Sequence, residues 1–340
     1  MHGGLFFVQI GAGTGAAQRR FVLVADIVTI TINPAVDIFV STERVEPTRK
    51  MRCSAPKRDP GGGGINVARV AHRLDASVTA IFPTGGAIGR LLHRLLEREG
   101  VPSIVTPSHV ETRENFTAYE DASGEQFRFV LPGSRLHEAE WMAVLDKLAE
   151  IPDKPKFVIA SGSEPPGVPD DFFARVVKLA RKIGAKPVVD TSGDALKRTL
   201  DHGVYLIKPN INELAELMGM PLDKDTARIA ACRKLIGSAR AEVVALTLGE
   251  DGAMLVTKDS AWRARPMQIE VVSAVGAGDS FLGGLVATLA KGKSLEEAFR
   301  VAVAAASAAV MSPGTELCRA AEVERLLPQV KIEEMAAAVS

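Results

Sequence analysis

Aromatic side chains are scarce in this 340-residue chain, 5% of residues against 46% hydrophobic overall, so aliphatic and small side chains must close the core. That composition suits helices packed on a parallel sheet and speaks against an aromatic-rich β sandwich. Net charge is missing as well. Forty-one basic and 41 acidic residues cancel, leaving no field to draw in nucleic acid or an anionic membrane. Cys53, Cys232 and Cys318 are widely spaced and form no Cys-x-x-Cys pair. A disulfide framework or zinc site is therefore not expected, and a reducing, cytoplasmic setting fits. No apolar run reaches membrane-spanning length, and the first residues lack the pattern of a secretory signal. The Walker A pattern, His-Glu-x-x-His and Gly-x-Ser-x-Gly are absent, which removes P-loop, zincin and esterase chemistry. The 6 histidines are scattered and suggest no metal cluster.

The length allows one large domain or two small ones. Residues 1–23 read unlike the rest. A short strand over 5–10 followed by Gly11-Ala12-Gly13-Thr14-Gly15-Ala16 matches a loose dinucleotide fingerprint, with Asp37 at a fitting distance. A dinucleotide-dependent oxidoreductase built on residues 5–37 is the reading that segment supports. Yet only 14–20 remains for the crossover helix, too short for a sound βαβ unit. A flexible or non-native leader is the expectation for 1–23, although the next methionine is Met51.

The β-branched run 22–32 predicts a buried strand that Asn33-Pro34 ends, leaving Asp37 at a strand exit, where open α/β sheets bind ligands. Segments 38–45 and 51–55 read as β-like, around the basic turn Arg49-Lys50-Met51-Arg52. Four consecutive glycines, Gly61 to Gly64, run directly into a helix over 65–74 that carries Asn66. Such a run is entropically unfavourable unless backbone must approach something closely. Residues 116–120 and 125–131 alternate polar and apolar around Ser123-Gly124, a half-exposed second pair of strands. The small sheet they form with 38–55 interrupts the α/β pattern and suits a lid, a dimer surface, or both.

From Glu138 the alternation is regular: helices at 138–149, 170–183 and 194–201, strands at 156–160, 187–190, 204–207 and 242–246. Asn210 with Glu213 three residues on forms a capping-box pattern, and the same pair can hold Mg²⁺-bound water and phosphate oxygens. Gly249 and Gly252 suit a tight turn over a nucleotide or a plain hairpin. Strands near 253–257, 262–264 and 267–272 follow, then helices at 277–291, 295–311 and 320–328.

The stretch Val275-Gly276-Ala277-Gly278-Asp279-Ser280 stands directly before an apolar helical pattern. Unpaired amides and the positive dipole end at a helix start can hold an anion, and Asp279 can take a proton from an attacking hydroxyl. Phosphoryl transfer to an alcohol needs that pairing. An ordinary turn with an acidic first helical turn has the same sequence.

Taken together these motifs resemble the PfkB branch of the ribokinase-type sugar kinases, from Val24 to Leu327. Gly61–Ala68 and Val275–Ser280 carry the resemblance most specifically. Ala80-Ile81-Phe82-Pro83, Pro165-Pro166-Gly167-Val168 and the stretch 123–130 look most like the minor 6-phosphofructokinases, with tagatose-6-phosphate kinases and 1-phosphofructokinases as near relatives. The resemblance implies a three-layer α/β/α sandwich with a mostly parallel central sheet and a small β lid clasping a second copy, a homodimer. It places the kinase domain at 24–331, with lid segments 37–58 and 111–131 and a tail at 332–340. Asp279 would be the base and Gly276, Ala277 and Gly278 the anion hole. Asp37, Gly61, Gly62, Asn66, Arg113 and Ser161 would bind a sugar phosphate, with Lys50 reaching a phosphate from the lid. Lys208, Asn210, Thr247, Gly249, Gly252 and Ser307 would face ATP, and Glu213 would help hold Mg²⁺. A K⁺ site would lie near Ser273, Val275, Ala309, Ser312 and Gly314. The implied reaction is ATP-dependent phosphorylation of fructose 6-phosphate, and a non-catalytic sugar-phosphate sensor is the rival of another class. Three residues depart from the pattern: Glu164 for Leu, Asn212 for Lys and Glu316 for Arg.

Overall fold

The computed structural model describes residues 25–152, 154–312 and 314–335. The leader 1–23, with its fingerprint at 11–16, and the start of the strand expected at 22–32 lie outside the described residues. In chain order the strands are β1 (Ile27–Ile30), β2 (Ala35–Thr42), β3 (Lys57–Gly61), β4 (Val78–Thr84), β5 (Ser103–Pro107), β6 (Arg113–Glu120), β7 (Gln126–Phe129), β8 (Phe157–Ser161), β9 (Lys186–Asp190), β10 (Val204–Ile207), β11 (Ala241–Thr247), β12 (Ala253–Val256), β13 (Ala261–Ala264) and β14 (Ile332–Glu334). The helices are α1 (Gly63–Arg73), α2 (Gly86–Glu99), α3 (Glu138–Ala149), α4 (Phe172–Lys182), α5 (Gly193–Leu200), α6 (Ile211–Met218), α7 (Asp225–Gly237), α8 (Ala277–Ala290), α9 (Leu295–Val310) and α10 (Ala320–Leu326).

Ten strands form the main sheet, ordered β14-β13-β12-β11-β10-β9-β8-β1-β4-β5. From β11 to β5 all neighbours run parallel, and β12, β13 and β14 add an antiparallel edge. Successive strand residues face opposite layers. Ile27, Ile159, Val188 and Leu206 pack with α1, α2, α8, α9 and α10. Val28, Val158, Val189 and Ile207 pack with α3 to α7. This is the expected α/β/α sandwich, closed largely by Val, Ile, Leu and Ala as the aromatic scarcity requires. Burial on both faces explains why the strands read as continuous apolar runs.

Helix α8 is wedged between α1 and α9. A Cβ on Gly283 would lie 2.5 Å from Val70 Cγ1, and one on Gly284 would lie 3.0 Å from Ala305 Cβ. Glycine inside a helix is disfavoured relative to alanine, so its presence here reflects close approach of neighbouring helices.

The second sheet, ordered β3-β2-β6-β7, is small and stands apart from the first. Strands β2 and β6 pair in parallel, opposing Asp37 to Asn115. Three boundaries differ from the sequence reading. Residues 51–55 are not a strand; they are exposed, and the partner of β2 is instead β3. No strand forms over 267–272. The edge of β13 is instead covered by β14, from the segment expected as a tail. Helix α7 had no counterpart in the sequence reading, because Ile229, Cys232 and Leu235 are interleaved with Ala and Arg.

The α8 wedge gives a stability test. Gly283→Ala should destabilise by about 1–3 kcal/mol in urea unfolding, overpacking outweighing the better helix propensity. Adding Val70→Ala should recover part of that loss.

Candidate active site

The parallel strands end along one edge, and the chemistry-bearing residues gather there, as the topology of open α/β sheets favours. Ser161 closes β8, Asp190 closes β9, Thr247 closes β11, and Lys208 follows β10. Lys208 is buried, with Nζ 3.0 Å from Asp190 Oδ1. Ser161 Oγ lies 3.4 Å from Asp190 Oδ2.

Asn66 in the first turns of α1 and Asp279 in the first turn of α8 meet across this edge. Asn66 Nδ2 donates to Asp279 Oδ2 at 2.8 Å, joining residues 213 positions apart. The helix into which the glycine run leads is therefore joined to the acid. Gly276 caps α8 with φ of 75°, a left-handed conformation that glycine adopts freely. The amides of Gly276 and Gly278 have no hydrogen-bond partner among the described residues, and that of Ala277 makes only a 3.4 Å bond to Ala274 O. A Cβ on Gly278 would lie 3.3 Å from Lys208 Nζ, so an ammonium adjoins these open donors. The result is a group of open amides that adjoins both an ammonium and a carboxylate.

The glycine run itself is packed tightly. A Cβ on Gly61 would lie 2.5 Å from the Asp37 carboxyl, and one on Gly63 would collide with Ser161 Oγ. Close approach to the chain's own side chains thus accounts for these two glycines.

Electrostatics follow from this crowding. Burial and the neighbouring Asp190 push the Asp279 carboxyl up to about 6, against the opposing pull of Asn66 and Lys208. Burial also raises Asp37, although Asn115 donates to its Oδ1 at 2.7 Å. Burial alone would lower Lys208, but Asp190, with Asp279 and Glu213 beyond it, holds its pKa above the usual lysine value.

Asn210 and Glu213 form a reciprocal capping box at the start of α6, with Asn210 N–H donating to Glu213 Oε2 at 2.8 Å. Glu213 Oε1 takes no hydrogen bond among the described residues. Thr247 N–H donates to Pro209 O at 3.0 Å, bringing the 208–210 and 247–252 loops together. Gly249 and Gly252 both have positive φ within that second loop. Ser307 lies half-buried on α9. Ser273 Oγ donates to Gly314 O at 2.9 Å, while Val272 N–H and Ser273 N–H both donate to Val310 O, so 273–275 and 309–314 adjoin. Val275 N–H donates to Ser273 Oγ at 3.2 Å, and Ala309 O accepts from Ser312 N–H at 3.0 Å. Arg113 lies in β6, and its guanidinium donates to Leu131 O at 2.5 Å and Asn33 O at 3.0 Å. Lys50 is exposed in the connection between β2 and β3 and makes no hydrogen bond or ion pair among the described residues.

Sequence reasoning missed Asp190, Asn115 and Arg69. Asp190 had a signal, an acid ending a predicted strand. Asn115 and Arg69 had none, since each looks like an ordinary polar residue.

Residues 19–322 match the pfkB family carbohydrate kinases. The chain belongs to this family. It is 44% identical over 299 residues to ATP-dependent 6-phosphofructokinase isozyme 2 of Mycobacterium tuberculosis, 88% of each chain. It is 39% identical over 301 residues to the isozyme 2 enzyme of Escherichia coli, 88% of this chain and 97% of that one. The crystal structure of E. coli phosphofructokinase-2 in complex with substrates and products superimposes with a TM-score of 0.86 at 39% identity, over 89% of this chain and 98% of that one. That protein has also been solved in complex with potassium and as a tetrameric inhibited form. Bacillus subtilis 1-phosphofructokinase is 30% identical over 309 residues, 91% of this chain and all (100%) of that one. As a pfkB carbohydrate kinase the chain is a phosphotransferase with an alcohol acceptor.

Two of the departures from the family pattern have a physical account. Burial and Asp170 push Glu164 up to about 7, so near neutral pH the carboxyl in place of the family's Leu is only partly charged. Glu316 pairs with Lys57 of β3 at 3.0 Å and with Arg319, so the acid links its loop to the small sheet. Nothing in the structure explains Asn212, which is exposed on α6.

A carboxyl ¹³C titration of Asp279 should give a midpoint of about 6. In Asp190→Asn the midpoint should fall, because a like charge is removed and Lys208 is freed to face Asp279.

Proposed function

We propose that the chain transfers the γ-phosphoryl group of ATP to the 1-hydroxyl of fructose 6-phosphate, giving fructose 1,6-bisphosphate and ADP. The observation that carries the reading is the carboxylate of Asp279 held by Asn66 beside the unpartnered amides of Gly276 and Gly278. Asp279 takes the hydroxyl proton as the sugar oxygen forms its bond to phosphorus and the bond to the ADP oxygen breaks. The amides of Gly276, Ala277 and Gly278, with Lys208 alongside, stabilise the charge spread over the moving phosphoryl group. Asp37, Gly61, Gly62, Asn66 and Ser161 face the sugar, with Arg113 and Lys50 toward its phosphate. Asn210, Thr247, Gly249, Gly252 and Ser307 face the nucleotide.

The free oxygen of Glu213 suits a hard cation. Among the described residues no group of three or more His, Cys, Asp or Glu converges on a metal. Magnesium here would thus take most of its ligands from water and nucleotide phosphates, and it would neutralise their charge. The oxygen-only donors at Ser273, Val275, Ala309, Ser312 and Gly314 suit K⁺, in keeping with the potassium complex of the E. coli relative. Phe116, Phe129, Val130 and Leu131 are exposed apolar residues on or beside the small sheet, which supports pairing of this lid with a second copy. A cytoplasmic location agrees with the unpaired cysteines, and among the described residues no helix is long and apolar enough to cross a membrane.

One observation favours a neighbouring substrate, such as fructose 1-phosphate: the Arg113 guanidinium is already engaged by two backbone carbonyls. A 6-phosphate would have to displace them or use the buried Nε, which has no partner. A coupled ADP-release assay across sugar phosphates separates the readings. Fructose 6-phosphate should give the highest kcat/KM. Arg113→Ala should raise KM for it roughly ten-fold or more, as expected for a lost charge-assisted contact, and leave KM for ATP unchanged. Equal turnover of unphosphorylated sugars would overturn the assignment, and no ADP release with any sugar would favour a sensor.

Asp279→Asn should lower kcat by roughly 10²–10⁴-fold with substrate binding largely kept. In the wild type, kcat should fall as pH drops through about 6, where the base takes up a proton. Near-normal activity in Asp279→Asn would remove the role.

A further inference from the structure

We infer that Arg69 is a positioning residue for the phosphoryl transfer, fixing the Asn66 amide so that Oδ1 of Asp279, not Oδ2, receives the substrate proton. The inference rests on the reading of Asp279 as the base.

Arg69 lies on α1 one turn beyond Asn66 and is 1% exposed. Its Nη1 donates to Asn66 Oδ1 at 3.2 Å and to Pro60 O at 2.8 Å. Its Nε and Nη2 clasp Glu99 at the end of α2, at 3.0 and 2.6 Å. Asp59 Oδ1 lies a further 3.9 Å from Nη2. Every side of the guanidinium is thus engaged, and it cannot turn away from Asn66. Glu99 is itself gripped by Arg73, whose Nη1 reaches Leu317 O and Cys318 O on the loop whose Cys318 amide donates to Ser280 on α8.

An amide has one accepting and one donating end. With Oδ1 turned to the guanidinium, Nδ2 is the group left to face Asp279, and it donates to Oδ2 at 2.8 Å. The reverse orientation would set an oxygen against a carboxylate and an NH₂ against an arginine, so both contacts would become repulsive. Asp279 Oδ1 has no hydrogen-bond partner among the described residues. The relay therefore occupies one carboxylate oxygen and leaves the other open. It also favours the ionised form of Asp279, since the Asn66 bond is among the influences that lower its pKa. Without Arg69 the Asn66 amide loses one of its two restraints, and the bond to Asp279 is held less firmly.

The test is the pH dependence of kcat with fructose 6-phosphate and ATP. Arg69→Met alone would strand Glu99, so Arg69→Met/Glu99→Met, which replaces a buried ion pair by apolar residues, keeps the fold. In this variant the acid limb should move up by about one unit, the size of a lost hydrogen bond to a charged group. The loss in kcat should accordingly be larger at pH 6.5 than at pH 8.5. Adding the same pair of changes to Asn66→Ala should move the limb no further. Leu148→Ala, a core truncation in the opposite helical layer, should reduce stability and leave the limb in place. An unmoved limb in the double variant overturns the inference, as does an equal shift in the Asn66→Ala background or in Leu148→Ala. A wild type with no acid limb at all would instead remove the base reading on which the relay depends.

Discussion

The site depends on keeping a carboxylate ionised where the protein would rather have it neutral. Asp279 is enclosed near Asp190 and Asp37, and the Asn66 amide and the Lys208 ammonium counter them. Much of the surrounding structure supplies these two counterweights. Lys208 is delivered by the end of β10 and held by Asp190, while Asn66 is delivered by α1, whose first residues are the last two glycines of the run. The folded chain binds the Asp279 proton more tightly than the unfolded chain does, since its pKa lies above the ordinary value near 3.9. The favourable contribution is thus complete below that ordinary value and is lost as pH rises through about 6. At neutral pH the ionised acid is a burden on stability, a pattern common at catalytic groups.

The small sheet is fastened to the same place. Phe39 of β2 packs where a Cβ on Gly314 would lie 2.6 Å from its ring. Gln126 of β7 donates to Val272 O at 3.3 Å, and its Oε1 lies 3.2 Å from Ser273 Oγ. Thr315 Oγ1 donates to Asp59 of β3 at 2.8 Å. These contacts reach the loop that leads into α8 and the loop that follows α9.

Much of this was legible in the sequence because one physical cause stood behind each signal. Alternating apolar runs and amphipathic helices marked the layered sheet, and the small residues before Asp279 marked a helix start. Where the cause was non-local, the sequence was silent. The partner of β2 could not be read from 51–55, because pairing depends on which segment the fold brings alongside. Arg69 reads as one more basic residue on a helix, and only burial against Glu99 gives it a fixed direction. Asp190 acquires meaning only when β9 is set next to β10. Helix α7 hid because its buried face is partly alanine.

The stitching of the small sheet to the loops around α8 joins two components mechanically. Strands β2, β3 and β7 are tied to the 272–275 and 314–316 loops. Any tilt of that sheet must carry those loops along or break these contacts. The small sheet and the start of α8 therefore cannot shift independently, with the Phe39–Gly314 contact lying between them.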